Sequence, residues 1–252
     1  MAGSDLLSSD VKANETIFRD MFAHCSDVVF RPIPSEERIR ALAIYIDGLV
    51  DTRELENTVL QQLIDHVEPS ASLAGIAAAH VTTSRDIHET VEGILRGHLF
   101  VIADGAAEGL LLDFSKFAQR GIEEPVIEAS VRGPREGFTE ALRTNTSMIR
   151  RKLCTPRLKM EAMKIGAVTG TDVVLTYLEG AAPDDLVREA RDRLRKVRTD
   201  SVLDSSYIEE IIQDNHLSPF PQLQNTERPD TVAASLLEGK VAILVNGSPN
   251  VL

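Results

Sequence analysis

The chain has 252 residues, a formal net charge of −12, only 4% aromatic residues and no Trp. That length suits one large domain or two small ones with a core of Leu, Ile, Val and Ala, and the acidity excludes nucleic acid as a partner of the whole chain. The imbalance is local: residues 1–129 carry 10 basic and 22 acidic side chains and residues 130–252 carry 17 of each, which suggests two units in different surroundings. Met1 to Asp10 is polar and acidic, unlike a secretory signal, and residues 1–14 read as a frayed leader. Val28-Val29-Phe30 is strand-like, and Leu42 to Ile46 reads as a buried strand ending at Asp47-Gly48. Leu55, Val59, Leu63 and Val67 predict a helix over 52–67, and a shorter one follows near 70–79. Thr83-Ser84 with Asp86 reads as the capped start of a helix that buries Ile87, Val91 and Ile94 and stops at Gly97. Leu99 to Ala103 and Leu110 to Phe114 flank Asp104-Gly105 as a β-hairpin.

In the second half, Phe138, Leu142, Ile149 and Leu153 mark a helix of about 137–153. Strands are expected at Leu158 to Ile165 and Asp172 to Leu178, joined through Gly166 and Gly170. Pro183 at a first helical position opens a helix through Leu186, Ala190, Leu194 and Val197, and another runs from Asp204 or Ser205 to near Asn215. Pro229 begins a helix that stops at Gly239, and Val241 to Val245 is a buried strand. The interleaving predicts an α/β chain of two lobes with mixed sheets, 1–125 and 126–252, with the boundary between Gly121 and Ser130. No internal repeat is evident. The longest apolar run, Leu73 to Ala79, is far short of the roughly 20 residues of a membrane helix. Cys25 and Cys154 form no C-x-x-C pattern, so two buried free thiols are expected, without a disulfide or a zinc site.

The segment from Ser218 to Asp230, SPFPQLQNTERPD, has neither a helical nor a strand period. Three prolines extend it and one of the eight Phe residues sits inside it, so an ordered connector is expected, with Phe220 buried between the lobes in a structural network with Glu227, Arg228 and Asp230. No nucleophile with an adjacent base can be assembled, and the six histidines show no metal-ligand spacing, so neither catalysis nor a metal or cofactor is expected. Arg132 and Arg135 precede a helix and, with Asn145, are the candidate holders of a small anionic or zwitterionic ligand or a partner's carboxylate. The alternative is a turn whose arginines pair with Glu136, Glu140 or a carboxylate of the other lobe. Arg188, Arg191, Arg193, Arg195, Lys196 and Arg198 crowd one helix, either as a solvated face or as a contact for anionic lipid headgroups.

Ser218 to Asp230, followed by LEGKVAILV from Leu237 to Val245, resembles the A subunit of the bacterial spore germinant receptor, the GerA family. A second block agrees in order: Val131-Arg132-Gly133-Pro134-Arg135, Phe138, Glu140, Thr144-Asn145 and Ile149-Arg150-Arg151, with a shorter match at Tyr177-Leu178-Glu179-Gly180. Lys240 stands where that family commonly has Arg, Asn246 where it has Asp, and Ser248-Pro249-Asn250-Val251 where a Pro-Phe-Val-Leu ending is usual. The resemblance implies the soluble N-terminal domain of an A subunit, cut before a membrane region and lying on the spore-core side of the inner spore membrane. It also implies that the domain couples or assembles a nutrient-sensing complex with B and C subunits and with further copies of itself. A free-standing bilobed protein that binds a small solute is the rival reading.

Overall fold

The computed structural model describes residues 5–34, 39–55, 81–116, 136–215, 218 and 220–252. The chain divides into two compact units, residues 1–23, 27–117 and 154–156 in the first and 24–26, 118–153 and 157–252 in the second. In the first unit, β1 (Val28–Pro34), β2 (Ile39–Ile46), β3 (Val81–Ser84), β4 (His98–Ala103) and β5 (Gly109–Asp113) form a sheet of order β1-β2-β4-β5-β3. Helices α1 (Val11–Met21) and α3 (Ile87–Leu95) cover one face, and α2 is described as Thr52–Leu55. The Phe18 and Phe100 rings meet at 5.5 Å under α1, and Gly93 of α3 lies so close to Leu111 that a Cβ there would sit 2.8 Å from its side chain.

The second unit holds α4 (Leu142–Lys152), β6 (Leu158–Ile165), β7 (Thr171–Leu178), α5 (Asp184–Lys196), α6 (Ser205–Ile212), α7 (Pro229–Leu237) and β8 (Val241–Val245), with sheet order β6-β7-β8. Met148, Ile149, Val232 and Leu236 of α4 and α7 pack on one face, against Leu158, Met160, Val174 and Leu244. Val187, Leu194 and Ile208 of α5 and α6 pack on the other, against Val173, Leu175 and Ile243. Beyond β8 the ladder goes on in single steps. Ile243 and Leu252 exchange both backbone bonds at 2.8 and 3.1 Å, and Val251 and Thr226 exchange both at 3.0 Å.

The two units are built on one plan, which overturns the expectation of no internal repeat. Taking Val251–Leu252 for β5 and Thr226 for the end of β3, the order of the second sheet repeats that of the first. Ser84 and Thr226, Gly97 and Gly239, Val101 and Ile243, Gly105 and Gly247, and Leu110 and Leu252 are each separated by 142 residues. The tertiary hydrogen bonds repeat as well. Leu7 N donates to Arg85 O and Phe138 N to Glu227 O, each at 2.8 Å, while Gly105 N donates to Ser9 O and Gly247 N to Glu140 O, again at 2.8 Å. Helices α1 and α4 each carry an Asn as their fourth residue, Asn14 or Asn145. The amide accepts from the backbone N–H six residues earlier (Ser8 or Thr139) at 2.8 Å and donates to the same residue's carbonyl. Gly97, Gly239, Gly105 and Gly247 all have φ between +87° and +93°, where a side chain would be strained.

Four further expectations change. Residues 11–14 belong to α1, capped by Asp10 accepting from Lys12 N, so only the first few residues of the expected leader fall outside the described structure. Helix α3 starts after Asp86, which accepts from Glu89 N, while Ser84 ends β3 and bonds the Glu89 carboxylate at 2.6 Å. Pro183 is the N-cap of α5 rather than its first residue. The sheets are antiparallel at every named strand pair, and β4 to β5 and β6 to β7 return through turns too short for a parallel crossover. The expected helix near 70–79 lies outside the described residues.

Candidate functional site

The 218–230 segment divides in two. Its rear half is built into the second unit: Thr226 and Glu227 are buried, Thr226 pairs with Val251, and Glu227 O accepts from Phe138 N. Pro229 opens α7, where its missing N–H costs no helical bond. Arg228 closes a bidentate pair on Asp230, Nε to Oδ1 at 3.2 Å and Nη2 to Oδ2 at 2.6 Å, and this guanidinium holds the Asp230 carboxyl below the usual carboxylate range.

The front half is exposed but pinned. Gln222 Oε1 accepts from Asp214 N at 2.9 Å and Asn215 N at 3.1 Å, and its Nε2 donates to Asn215 O at 2.6 Å, so one amide fastens the loop to the end of α6. Ser218 Oγ donates to Phe220 O and accepts from Phe220 N. Between these braces Phe220 is 76% exposed. This corrects the expectation of a buried ring: hydrogen bonds order the loop, and the phenyl group is turned to solvent. Tyr207 and Ile211, one turn apart on α6, and Leu203 just before it also expose apolar surface.

Asn145 is 1% exposed and its amide is committed to Thr139, so it does not present a free group to a ligand. Arg132 and Arg135 lie outside the described residues. The basic helix is α5, and its cations have separate fates. Arg191 grips Glu161 at 2.6 and 2.7 Å, where Tyr177 OH also donates at 2.8 Å. Burial alone would raise the Glu161 carboxyl, but the Arg191 and Tyr177 bonds outweigh it and hold the carboxyl low; burial and Glu161 together push the Tyr177 phenol up. Arg193 pairs with Glu189 and Asp214, and Arg198 donates to the carbonyls of Arg195 and Val197. Arg188, Arg195 and Lys196 are exposed. Among the described residues no group of three or more His, Cys, Asp or Glu is placed to hold a metal ion. Neither cysteine is in a disulfide, and Cys154 is exposed rather than buried.

Asn246 gains a clear role. Its Oδ1 accepts from Leu142 N at 3.3 Å at the start of α4, as Asp104 Oδ1 accepts from Val11 N at 3.5 Å at the start of α1. The repeat could have been found in the sequence from the shared Leu-x-Gly, Asp/Asn-Gly and Leu spacing of residues 95–110 and 237–252.

The fold and this segment define a two-unit α/β domain whose distinctive sequence joins the second sheet at Thr226. Among the described residues no helix is long and apolar enough to cross a membrane. The profile of the Bacillus/Clostridium GerA spore germination proteins matches residues 16–252, and the chain belongs to that family. It is 40% identical to the uncharacterized membrane protein YfkQ of Bacillus subtilis (strain 168), over 98% of this chain and 49% of that one. It is 37% identical to spore germination protein KA of the same organism, over 98% of this chain and 47% of the relative. The chain thus spans about half the length of these curated relatives. The crystal structure of the N-terminal domain of the A subunit of the Bacillus megaterium spore germinant receptor GerK3 matches with a TM-score of 0.72 and 32% identity, covering 100% of this chain and 96% of that one.

Proposed function

We propose that this chain is the N-terminal domain of a germinant receptor A subunit and acts by contact rather than chemistry. In this reading it assembles or couples a nutrient-sensing complex with B and C subunits and further A subunits. The complex sits at the inner spore membrane with this domain on the core side. One observation carries the reading: Phe220, an aromatic residue, is 76% exposed on a loop already fixed by the Gln222 amide and the Ser218 hydroxyl. A pre-ordered exposed aromatic binds with little further loss of conformational entropy, which is how interface anchors work. The similarity to the GerK3 A-subunit domain supports the choice of receptor.

The test is co-isolation of the other receptor subunits with the A subunit from spore membranes, for wild type and Phe220→Asp. Recovery should fall about tenfold, a loss of roughly 1.4 kcal/mol of contact energy, while the melting temperature of the isolated domain stays the same. Undiminished recovery would refute the proposal.

A further inference from the structure

The second unit encloses a cavity of about 720 Å³, within the roughly 300–1,000 Å³ of small-molecule sites, and every described lining residue belongs to that unit. One wall is the end of β6 with the turn into β7. The other is the last turn of α5 with the four residues after it. The two walls are laced together. Ala167 N donates to Thr199 O at 2.9 Å and Val168 N to Asp200 O at 2.8 Å, while Val202 N donates to Thr169 Oγ1 at 3.1 Å. Thr171 Oγ1 adds a bond of 2.7 Å to Val202 O. The site is therefore formed before anything enters it, which lowers the cost of binding.

Side chains alternate along β6, so Met163 and Ile165 face α5 while Lys164 points to the other side of the sheet and pairs with Asp172 at 3.1 Å. With Leu194 and Val197, Met163 and Ile165 give the cavity an apolar wall. Its charge comes from α5. A helix C-terminus carries about half a negative charge and by itself repels an anion. Here Arg198 turns back and donates Nη1 to Arg195 O at 2.8 Å and to Val197 O at 3.1 Å, which satisfies those carbonyls and fixes the guanidinium beside the cavity. Its Nε and Nη2 have no hydrogen bond with a described residue. The exposed Arg195 guanidinium has neither a hydrogen bond nor an ion pair with one. Asp200 is the one acid among the described lining residues and is exposed, so two permanently charged guanidiniums outweigh it.

We propose that this cavity binds a small organic phosphate, a monoester with a short apolar body. Two guanidiniums match the roughly two negative charges of a phosphate monoester, where a carboxylate supplies one, and their uncommitted N–H groups suit its oxygens. The apolar wall takes the organic part, which an inorganic ion would leave facing water. A concave site favours a soluble molecule over the headgroups of a lipid surface.

The test titrates the chain with hexyl phosphate and follows backbone amide shifts by NMR. Saturable shifts should gather at Gly166, Ala167, Arg198 and Thr199. Inorganic phosphate and hexanol should each bind at least about tenfold more weakly, and Arg195→Gln should weaken hexyl phosphate by about tenfold with an unchanged melting temperature. Absent shifts, shifts scattered over the surface, or undiminished affinity in Arg195→Gln overturn the proposal. So does equal binding of hexanol or of inorganic phosphate. Sedimentation with phosphatidylglycerol vesicles, abolished by Arg195→Gln, would place the anion on a lipid and overturn the soluble ligand. None of these readouts involves Phe220, so the co-isolation result judges the receptor reading separately.

Discussion

The two units share a plan and differ in what they expose. In the first, β3 pairs with β5 over four residues and ends at the buried Ser84. In the second, the counterpart of β3 is a loop that carries an exposed Phe220 before it joins the sheet at Thr226. The features that repeat are those a backbone cannot do without: two glycines at positive φ, an Asn that ties the loop before the first helix, and a side-chain oxygen that caps that helix. The features that differ are exposed ones, which are free to serve binding. The charge follows the same division. The acidic surplus belongs to residues 1–129, while the balanced charges of residues 130–252 enter specific pairs such as Arg191–Glu161 and Arg228–Asp230.

Substitution in the core gives the largest effect. Leu112→Ala in the buried β5 strand should destabilise by about 2–5 kcal/mol, while Leu203→Ala, at a leucine 63% exposed in the second unit, should stay within about 0.5 kcal/mol. Urea midpoints of the two variants check this, and equal losses would erase the contrast between the buried strand and the exposed surface. The Arg228–Asp230 pair should show a coupling of about 0.2–1 kcal/mol in a double-mutant cycle. The Asp230 carboxyl titrates below its unfolded value in the folded chain. Its contribution is therefore complete above the unfolded pKa of about 3.9 and fades as pH falls through the lower folded value. The coupling should be the same at pH 7 and pH 5 and smaller below pH 4. Phe220→Ala should change stability least, within about 0.5 kcal/mol, where a buried Phe would cost about 3–5 kcal/mol.

Much of this architecture was legible in the chain. Runs such as Leu158 to Ile165 and Val241 to Val245 are bounded by glycines that must turn, and β6 and β8 occupy those places. Helix α1 was hidden because its inward face mixes Asn14 with Val11 and Phe18, so its apolar period is broken by a buried polar brace. The repeat was hidden because the two units share backbone requirements more than side chains. Phe220 was misjudged because burial of large apolar residues is a tendency of cores and says little about a loop held by hydrogen bonds. Asn145 drew notice as a candidate ligand holder, yet its bond to a residue six positions back depends on loop geometry that sequence spacing does not display.

If the pinned, exposed Phe220 loop meets the partners proposed above, a benzophenone side chain at position 220 of the full-length protein, photolysed in spore membranes, will capture them. Val168, 81% exposed on the β6–β7 turn of the same unit, is the matched control. Cross-links to another polypeptide of the proposed complex are expected from position 220, and few or none from position 168. Cross-linking at position 220 no greater than at position 168 would contradict that expectation.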